Sequence, residues 1–373
     1  MKIATIVGAR PHFIKAATIS RAIAKHDGVN EVLIHTGQHF DANMSDIFFA
    51  ELDIRLPDYH LGIGGGSHGQ NTGRMVEAIE GVLLREQPDW VLVYGDTDTT
   101  LAGALAAVKL NIPLAHVEAG VRSFNRCMPE EINRVLTDHA ADLLFAPTES
   151  AVTNLLAEGI SGDKVQRVGD VMLDATSYYK QLAIRPTAAC VDGEAPFVLC
   201  TVHRPENTND PARLTAIVLI LNQISASVPV VLPLHPRTRA ALDRLSGVLL
   251  NSAVRVIEPL GFIEMTWLVS HCQLVLTDSG GLQKEAYFHQ KPCITLREET
   301  EWVELVHAGY NHLFPPFATN ALEVFEQMRE VEIPADTEFY GDGNAATKIV
   351  LHLSECGHKC TNQSRSSSAK SVL

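Results

Sequence analysis

The sequence predicts an α/β protein built as two doubly wound parallel-sheet domains facing a cleft, and three observations carry that prediction. Short apolar runs alternate with helix-period segments through both halves of the chain, the pattern of strands joined by right-handed helical crossovers. The periodicity lapses from about Leu182 to Pro196 and then restarts, which divides the chain. The strand runs end in polar turns, among them Gly8-Ala9-Arg10-Pro11, Gly95-Asp96-Thr97, His203-Arg204 and Asp278-Ser279-Gly280-Gly281. In open parallel sheets such turns lie at the carboxyl ends of the strands, where ligands bind.

Length and charge narrow the class. A chain of 373 residues, 46% hydrophobic and 20% charged, suits two soluble globular domains. We place them at 1–181 and 182–340, followed by a helix within 341–354 and a disordered, serine-rich tail at 355–373. The net charge of −14 argues against nucleic acid and acidic membrane surfaces as partners. An anionic small substrate fits if local cations hold it, and Arg10, Lys15, His203, Arg204, His235 and Arg237 stand at loop positions to do so. The opening run Ile3–Val7 reads as a strand and not as a signal peptide. Seven cysteines, odd in number and mostly within apolar runs, point to reduced thiols and a cytoplasmic protein. Cys356 and Cys360 have no second ligand pair nearby, so no metal is expected.

In chain order, Ile3–Val7 is a buried strand and Pro11–Lys25 a helix with proline in its first turn. Glu31–Thr36 is the second strand, followed by a helix over 41–52. The glycine-rich stretch 61–67 reads as a flexible connection ahead of a long helix at 70–85. Trp90–Tyr94 and Pro113–Val117 are strands flanking an alanine-rich helix at 101–110, and they end at Asp96 and Glu118. Met128-Pro129-Glu130-Glu131 opens a helix, where acids complement the dipole whether or not they also serve chemistry. Leu143–Ala146 and Val165–Val168 complete the first half. The second half has strands at 197–201, 228–234, 254–257, 274–276 and 292–295, with helices between. The turn Thr277-Asp278-Ser279 passes straight into a helix at Gly280-Gly281. Free N–H groups there, with Ser279 as cap, suit a phosphate, and Glu285 lies one to two turns on, within reach of a ribose.

Six motifs together carry a resemblance. Gly8-Ala9-Arg10-Pro11 with Lys15, Gly95-Asp96-Thr97 with Thr99-Thr100, and His116-Val117-Glu118-Ala119-Gly120 with Arg122 are followed by Pro129-Glu130-Glu131 with Asn133-Arg134, by His203-Arg204, and by Asp278-Ser279-Gly280-Gly281 with Gln283 and Glu285. In this order and spacing they resemble the non-hydrolysing UDP-N-acetylglucosamine 2-epimerases over about residues 1–353. The resemblance implies two Rossmann-like domains in a glycosyltransferase-B-like arrangement, the last helix crossing back to the first domain, and a homodimer. It implies no redox cofactor. The chemistry implied is inversion at C2 of a UDP-2-acetamido sugar: the C2 proton and UDP leave to give a 2-acetamidoglycal, and both return. Asp96, Glu118, Glu130 and His203 then match the catalytic set, with Asp96 and either Glu118 or Glu130 handling protons. Arg10, Lys15, Arg134, Arg204, His235, Arg237, Phe262, Ser279, Gly280, Gly281, Glu285 and Glu301 match substrate and UDP positions. Gln38, His39 and Arg74 match parts of an allosteric UDP-N-acetylglucosamine site.

The primary reading is therefore epimerisation of UDP-N-acetylglucosamine for bacterial surface polysaccharide. Two departures favour an alternative substrate. His12 and Trp302 stand where the commonest family pattern has Glu and Arg, and Arg297–Trp302 resembles the branch acting on UDP-2,3-diacetamido-2,3-dideoxyglucuronate. Trp302 either lines the sugar pocket or is core beside the hinge. A UDP-sugar glycosyltransferase, a hydrolysing epimerase and a non-catalytic nucleotide-sugar sensor are the competing functions. The first has no need of the acidic set, the second would release UDP irreversibly, and the third would bind without proton exchange.

Overall fold

A computed structural model describes residues 1–38, 52, 54–187, 195–245, 247–335 and 338–368, with side chains as far as Cys356. The chain forms two compact units, one of Met1–Ala175 with Glu338–Leu373, the other of Thr176–Thr337.

The first unit is built on seven strands: β1 (Lys2–Val7), β2 (Asn30–His35), β3 (Tyr59–His60), β4 (Trp90–Tyr94), β5 (Leu114–Val117), β6 (Leu143–Ala146) and β7 (Val165–Arg167). They pair in parallel in the order β3-β2-β1-β4-β5-β6-β7. The chain starts mid-sheet, runs to one edge and then crosses to β4, so the order reverses between β1 and β4. Helices on both faces explain why every residue of β4 is buried. Ala4, Ile6, Val91 and Val93 pack on one face against Met75, Ile79 and Ala102–Ala107. That helix lies so close that a Cβ added at Gly103 would come 2.9 Å from both Ile6 and Val93.

The second unit repeats the winding. Its strands are β8 (Val198–Thr201), β9 (Val230–Pro233), β10 (Val254–Ile257), β11 (Leu274–Thr277), β12 (Cys293–Thr295) and β13 (Asn311–Leu313), in the order β10-β9-β8-β11-β12-β13. Alternate residues feed two cores: Val198, Cys200, Val230 and Leu276 on one face, Leu199, Val231 and Val275 on the other. Here the order reverses between β8 and β11.

Where the chain returns to the first unit it is fastened by hydrogen bonds. The Asp170 N–H donates to the Tyr340 carbonyl at 2.8 Å. The Asp174 carboxylate accepts the N–H groups of Ala345 (3.1 Å) and Ala346 (2.9 Å), capping the last helix from another element. That helix runs Ala345–Ser368 and packs on the helix Arg10–Ala24. The sequence predicts an end to this helix near Leu353 and a disordered tail from 355, whereas the helix continues to Ser368. No proline follows Glu355 to break the helix. The helix expected at 41–52 and residues 188–194 of the expected linker lie outside the described residues, apart from Leu52. No described helix is long and apolar enough to cross a membrane.

Candidate active site

In each unit the reversal of strand order marks where a ligand can enter beyond the strand ends. In the first unit those ends carry Gly8–Arg10 after β1 and Gly95–Thr97 after β4, with Glu118 after β5 alongside. Arg10 opens the helix Arg10–Ala24, and Lys15, one turn on, is buried with its Nζ 2.8 Å from Glu118 Oε2. Glu118 holds φ +74°, a left-handed backbone that costs a non-glycine residue about 1–3 kcal/mol. Two hydrogen bonds of 3.1 Å, from the N–H groups of Glu118 and Ala119 to the Phe145 carbonyl, hold the turn. At Gly95 the left-handed backbone (φ +60°) favours glycine, and an added Cβ would lie 3.3 Å from Lys15 Nζ. Asp96 is 29% exposed at its side chain and pairs through Oδ2 with Arg134 Nη2. Asn133 Nδ2 donates to the Asp96 carbonyl at 3.0 Å. The structure thus gathers Lys15, Asp96, Glu118 and Arg134, with Lys15 facing Glu118 and Arg134 facing Asp96.

The adjacent acids of the helix Pro129–Ala140 separate. Glu131 is buried, accepts from Ser123 N (3.0 Å) and Phe124 N (2.9 Å), and pairs with Arg134 Nη1 at 2.8 Å. Glu130 is exposed and makes no hydrogen bond or ion pair among the described residues. Of the expected allosteric residues, Gln38 accepts from Thr99 N (3.0 Å) and Thr99 Oγ1 (2.7 Å), Arg74 is exposed, and His39 lies outside the described residues.

Beneath these turns lies a buried ionic network, of which the sequence motifs contain His116 and Arg122 but neither Asp138 nor Glu158. His116, on β5, has Nδ1 2.7 Å from Asp138 Oδ1 and Nε2 2.7 Å from the Gly95 carbonyl. Asp138 Oδ2 accepts from Gly120 N at 3.0 Å and pairs with Arg122 Nη1 at 2.7 Å. Arg122 in turn grips Glu158 through Nε (2.7 Å) and Nη2 (2.8 Å). Burial pushes the Asp138 carboxyl up, but His116 and Arg122 outweigh it and hold the group below the ordinary carboxylate range.

In the second unit, Asp278 is fully buried beyond β11 and accepts from His203 N (3.1 Å), Arg204 N (3.0 Å) and Asn207 Nδ2 (3.1 Å). Its carboxylate therefore ties the loop after β8 to the loop after β11. His203 Nδ1 is 3.3 Å from the same carboxylate while its side chain stays 43% exposed. Ser279 caps the helix Gly280–Phe288, its Oγ accepting from Leu282 N at 3.4 Å. Glu301 holds both Arg297 guanidinium ends (3.1 and 3.3 Å) and lies 3.9 Å from Arg204 Nη2. Gly281 and Glu285 are neighbours on the helix, Glu285 half-buried. His235 caps the short helix Pro236–Leu242 with its ring 6.0 Å from that of His203, and Arg237 beside it is exposed. Phe262 is buried, its ring edge-on to that of Tyr179 at 5.3 Å. Trp302 is core: its Nε1–H donates to the Gly280 carbonyl at 2.9 Å, and Lys284 Nζ sits 4.0 Å over its ring. Asp278, Lys284 and Arg297 all lie in segments that the sequence singles out, yet no role for them can be read there, because burial decides what they do.

Among the described residues no group of His, Cys, Asp and Glu could hold a metal ion.

Comparison with known proteins adds four findings. The family model described as UDP-N-acetylglucosamine 2-epimerase matches residues 21–354. A curated UDP-2,3-diacetamido-2,3-dideoxy-D-glucuronate 2-epimerase of Pseudomonas aeruginosa is 54% identical over 359 residues, 95% of this chain and 100% of the relative. The crystal structure of Methanocaldococcus jannaschii UDP-GlcNAc 2-epimerase with UDP-GlcNAc and UDP is similar with TM-score 0.85 and 42% identity, covering 95% of this chain and 100% of that one. The glycosyltransferase VinC, 14% identical with TM-score 0.54 over 96% of this chain and 100% of its own, shares the glycosyltransferase-B-like fold.

Proposed function

The chain belongs to the UDP-N-acetylglucosamine 2-epimerase family and is a UDP-sugar 2-epimerase, and on that premise we propose that its substrate is a UDP-2,3-diacetamido-2,3-dideoxyglucuronate-type sugar. The observation that carries this choice is identity along the whole length: 54% to the relative of that specificity, against 42% to the UDP-GlcNAc enzyme. It favours the alternative substrate over the UDP-N-acetylglucosamine reading first drawn from sequence. The segment Arg297–Trp302 supports the same choice, with Trp302 as core under the phosphate turn in place of the arginine of the commoner pattern.

The residues divide the work as elimination and re-addition require. The C2 hydrogen is weakly acidic, so loss of UDP must be assisted by donors and cations around the diphosphate. The N–H groups at Gly280 and Gly281, the Ser279 hydroxyl, Arg204 and His203 supply them. Asp96 and Glu118, each beside a cation, take and return the C2 proton, two carboxylates serving two faces of the sugar. Glu130, exposed, is the third acid of this set. Lys15 and Arg134 keep the two carboxylates placed. Pairing as a homodimer is part of the same proposal.

Specificity constants measured side by side for the two UDP-sugars test the substrate. We expect kcat/KM for the diacetamido-glucuronate sugar to exceed that for UDP-N-acetylglucosamine by at least about 10²-fold, and by up to about 10⁴-fold where the site hydrogen-bonds groups that the simpler sugar lacks. Equal constants, or the reverse order, would return the chain to the commoner substrate.

A further inference from the structure

We propose that the buried His116–Asp138 pair is a positioning pair for the reaction, with the His116 ring protonated at both nitrogens so that it ties the Asp96 turn to the Glu118 turn. This rests on the assignment of Asp96 and Glu118 as the proton-handling carboxylates.

The protonation state follows from the partners. The Gly95 carbonyl can only accept, so Nε2, 2.7 Å away, carries a hydrogen. Nδ1 faces Asp138 Oδ1 at 2.7 Å. The other oxygen of that carboxylate already takes Gly120 N and Arg122 Nη1. A carboxylate so surrounded by donors is ionised and accepts from Nδ1 too. His116 is then an imidazolium, compensated by Asp138, while Arg122 is compensated by Glu158 and Asp138. At the outer end of the network, His139 Nε2 is 3.2 Å from Glu158 Oε2.

The two ends of the pair reach the two catalytic turns. Through Nε2 the ring holds the carbonyl of Gly95, the residue before Asp96. Through Asp138 it holds the N–H of Gly120, two residues after Glu118. Glu118 holds a left-handed backbone (φ +74°) that a non-glycine residue rarely adopts unaided, while Gly95 (φ +60°) and Gly120 (φ +80°) supply the turns on either side at no steric cost. His116 and Asp138 are wholly buried, and neither side chain reaches the surface on which a sugar could lie. Their part is to fix the distance between two carboxylates that must act on one carbon, and an error of about 1 Å in such placement costs about 10²-fold in rate.

Nitrogen NMR of the wild-type protein and kinetics of His116→Gln and Asp138→Asn test this together. At neutral pH both His116 nitrogens should show the shift of a protonated, pyrrole-type nitrogen. In each variant kcat should fall by about 10²-fold, the loss expected from a misplacement of about 1 Å. KM and the UDP dissociation constant should stay within about twofold, because the UDP-binding residues are in the other unit; a general loss of structure would move them as well. A pyridine-type nitrogen on wild-type His116, or variants with kcat within about twofold of wild type, overturns the proposal. If the wild type itself inverted no UDP-sugar, the functional assignment would fail instead, and the nitrogen shifts would still report on the pair.

Discussion

Lys15 Nζ stands 2.8 Å from Glu118 Oε2, joining the first helix of the chain to the turn beyond β5. The ammonium is buried, and the carboxylate it faces sits on a left-handed backbone. Such a pair is expensive to keep and harder to break, since removing one partner leaves the other charge buried, at about 3–5 kcal/mol.

Asp96→Asn and Glu118→Gln keep shape but cannot accept a proton. We expect each to lower kcat for epimerisation by about 10²–10⁴-fold while UDP binding persists, the range for loss of a general acid or base. Steady-state kinetics with a coupled UDP-sugar assay reads this. Near-normal rates in both, with the fold intact by circular dichroism, would remove them from the mechanism.

Neighbouring Glu130 and Glu131 should behave oppositely. Glu131→Gln breaks a buried pair with Arg134 and is expected to destabilise the protein by about 3 kcal/mol. Glu130→Gln, on the exposed side of the same helix turn, should leave the unfolding midpoint in place and lower turnover. Thermal unfolding and kcat of the two variants settle the contrast, and an active Glu130→Gln enzyme would strike that residue from the catalytic set.

Trp302→Phe retains a ring beneath Lys284 and deletes the donor to the Gly280 carbonyl. One hydrogen bond of this kind is worth about 1 kcal/mol, so the UDP dissociation constant should rise by about fivefold. Calorimetric titration with UDP measures it, and an unchanged constant would mean that the indole N–H has no part in setting the phosphate turn.

Burial, aided by Asp170 and Asp342, pushes the Asp174 carboxyl up to about 6 despite its two N–H donors. The unfolded chain releases that proton near the ordinary value of 3.8. Between these values the folded state holds a proton that the unfolded state has lost. The contribution to stability is thus full below about 3.8 and is lost as pH rises through about 6. Asp174→Asn cannot ionise, so the stability of wild type relative to this variant should decline across that window. Urea midpoints at successive pH values test the sign, and a difference that grows with pH would contradict it.

Much of this was legible in the sequence. The two reversals of strand order fall at turns that composition alone picks out, because a buried parallel strand is a continuous apolar run and its carboxyl end must break into polar residues. Short edge strands such as Tyr59–His60 and Asn311–Leu313 carry too few residues for periodicity to register. Adjacent acids could not be told apart either, since neighbouring helix positions point about 100° apart and only packing decides which is buried. His116 was visible only as part of a motif, for its partner Asp138 lies 22 residues on and its other contact is a backbone carbonyl. Trp302 was read with two outcomes open, and its hydrogen bond to Gly280 decides for core.

The most direct test is proton NMR of the protein in deuterated water with UDP-2,3-diacetamido-2,3-dideoxyglucuronate. Deuterium should enter C2 as a C2-inverted UDP-sugar accumulates to a reversible mixture, with no net release of UDP. Inversion without deuterium at C2, or UDP released irreversibly with a free sugar, would contradict it.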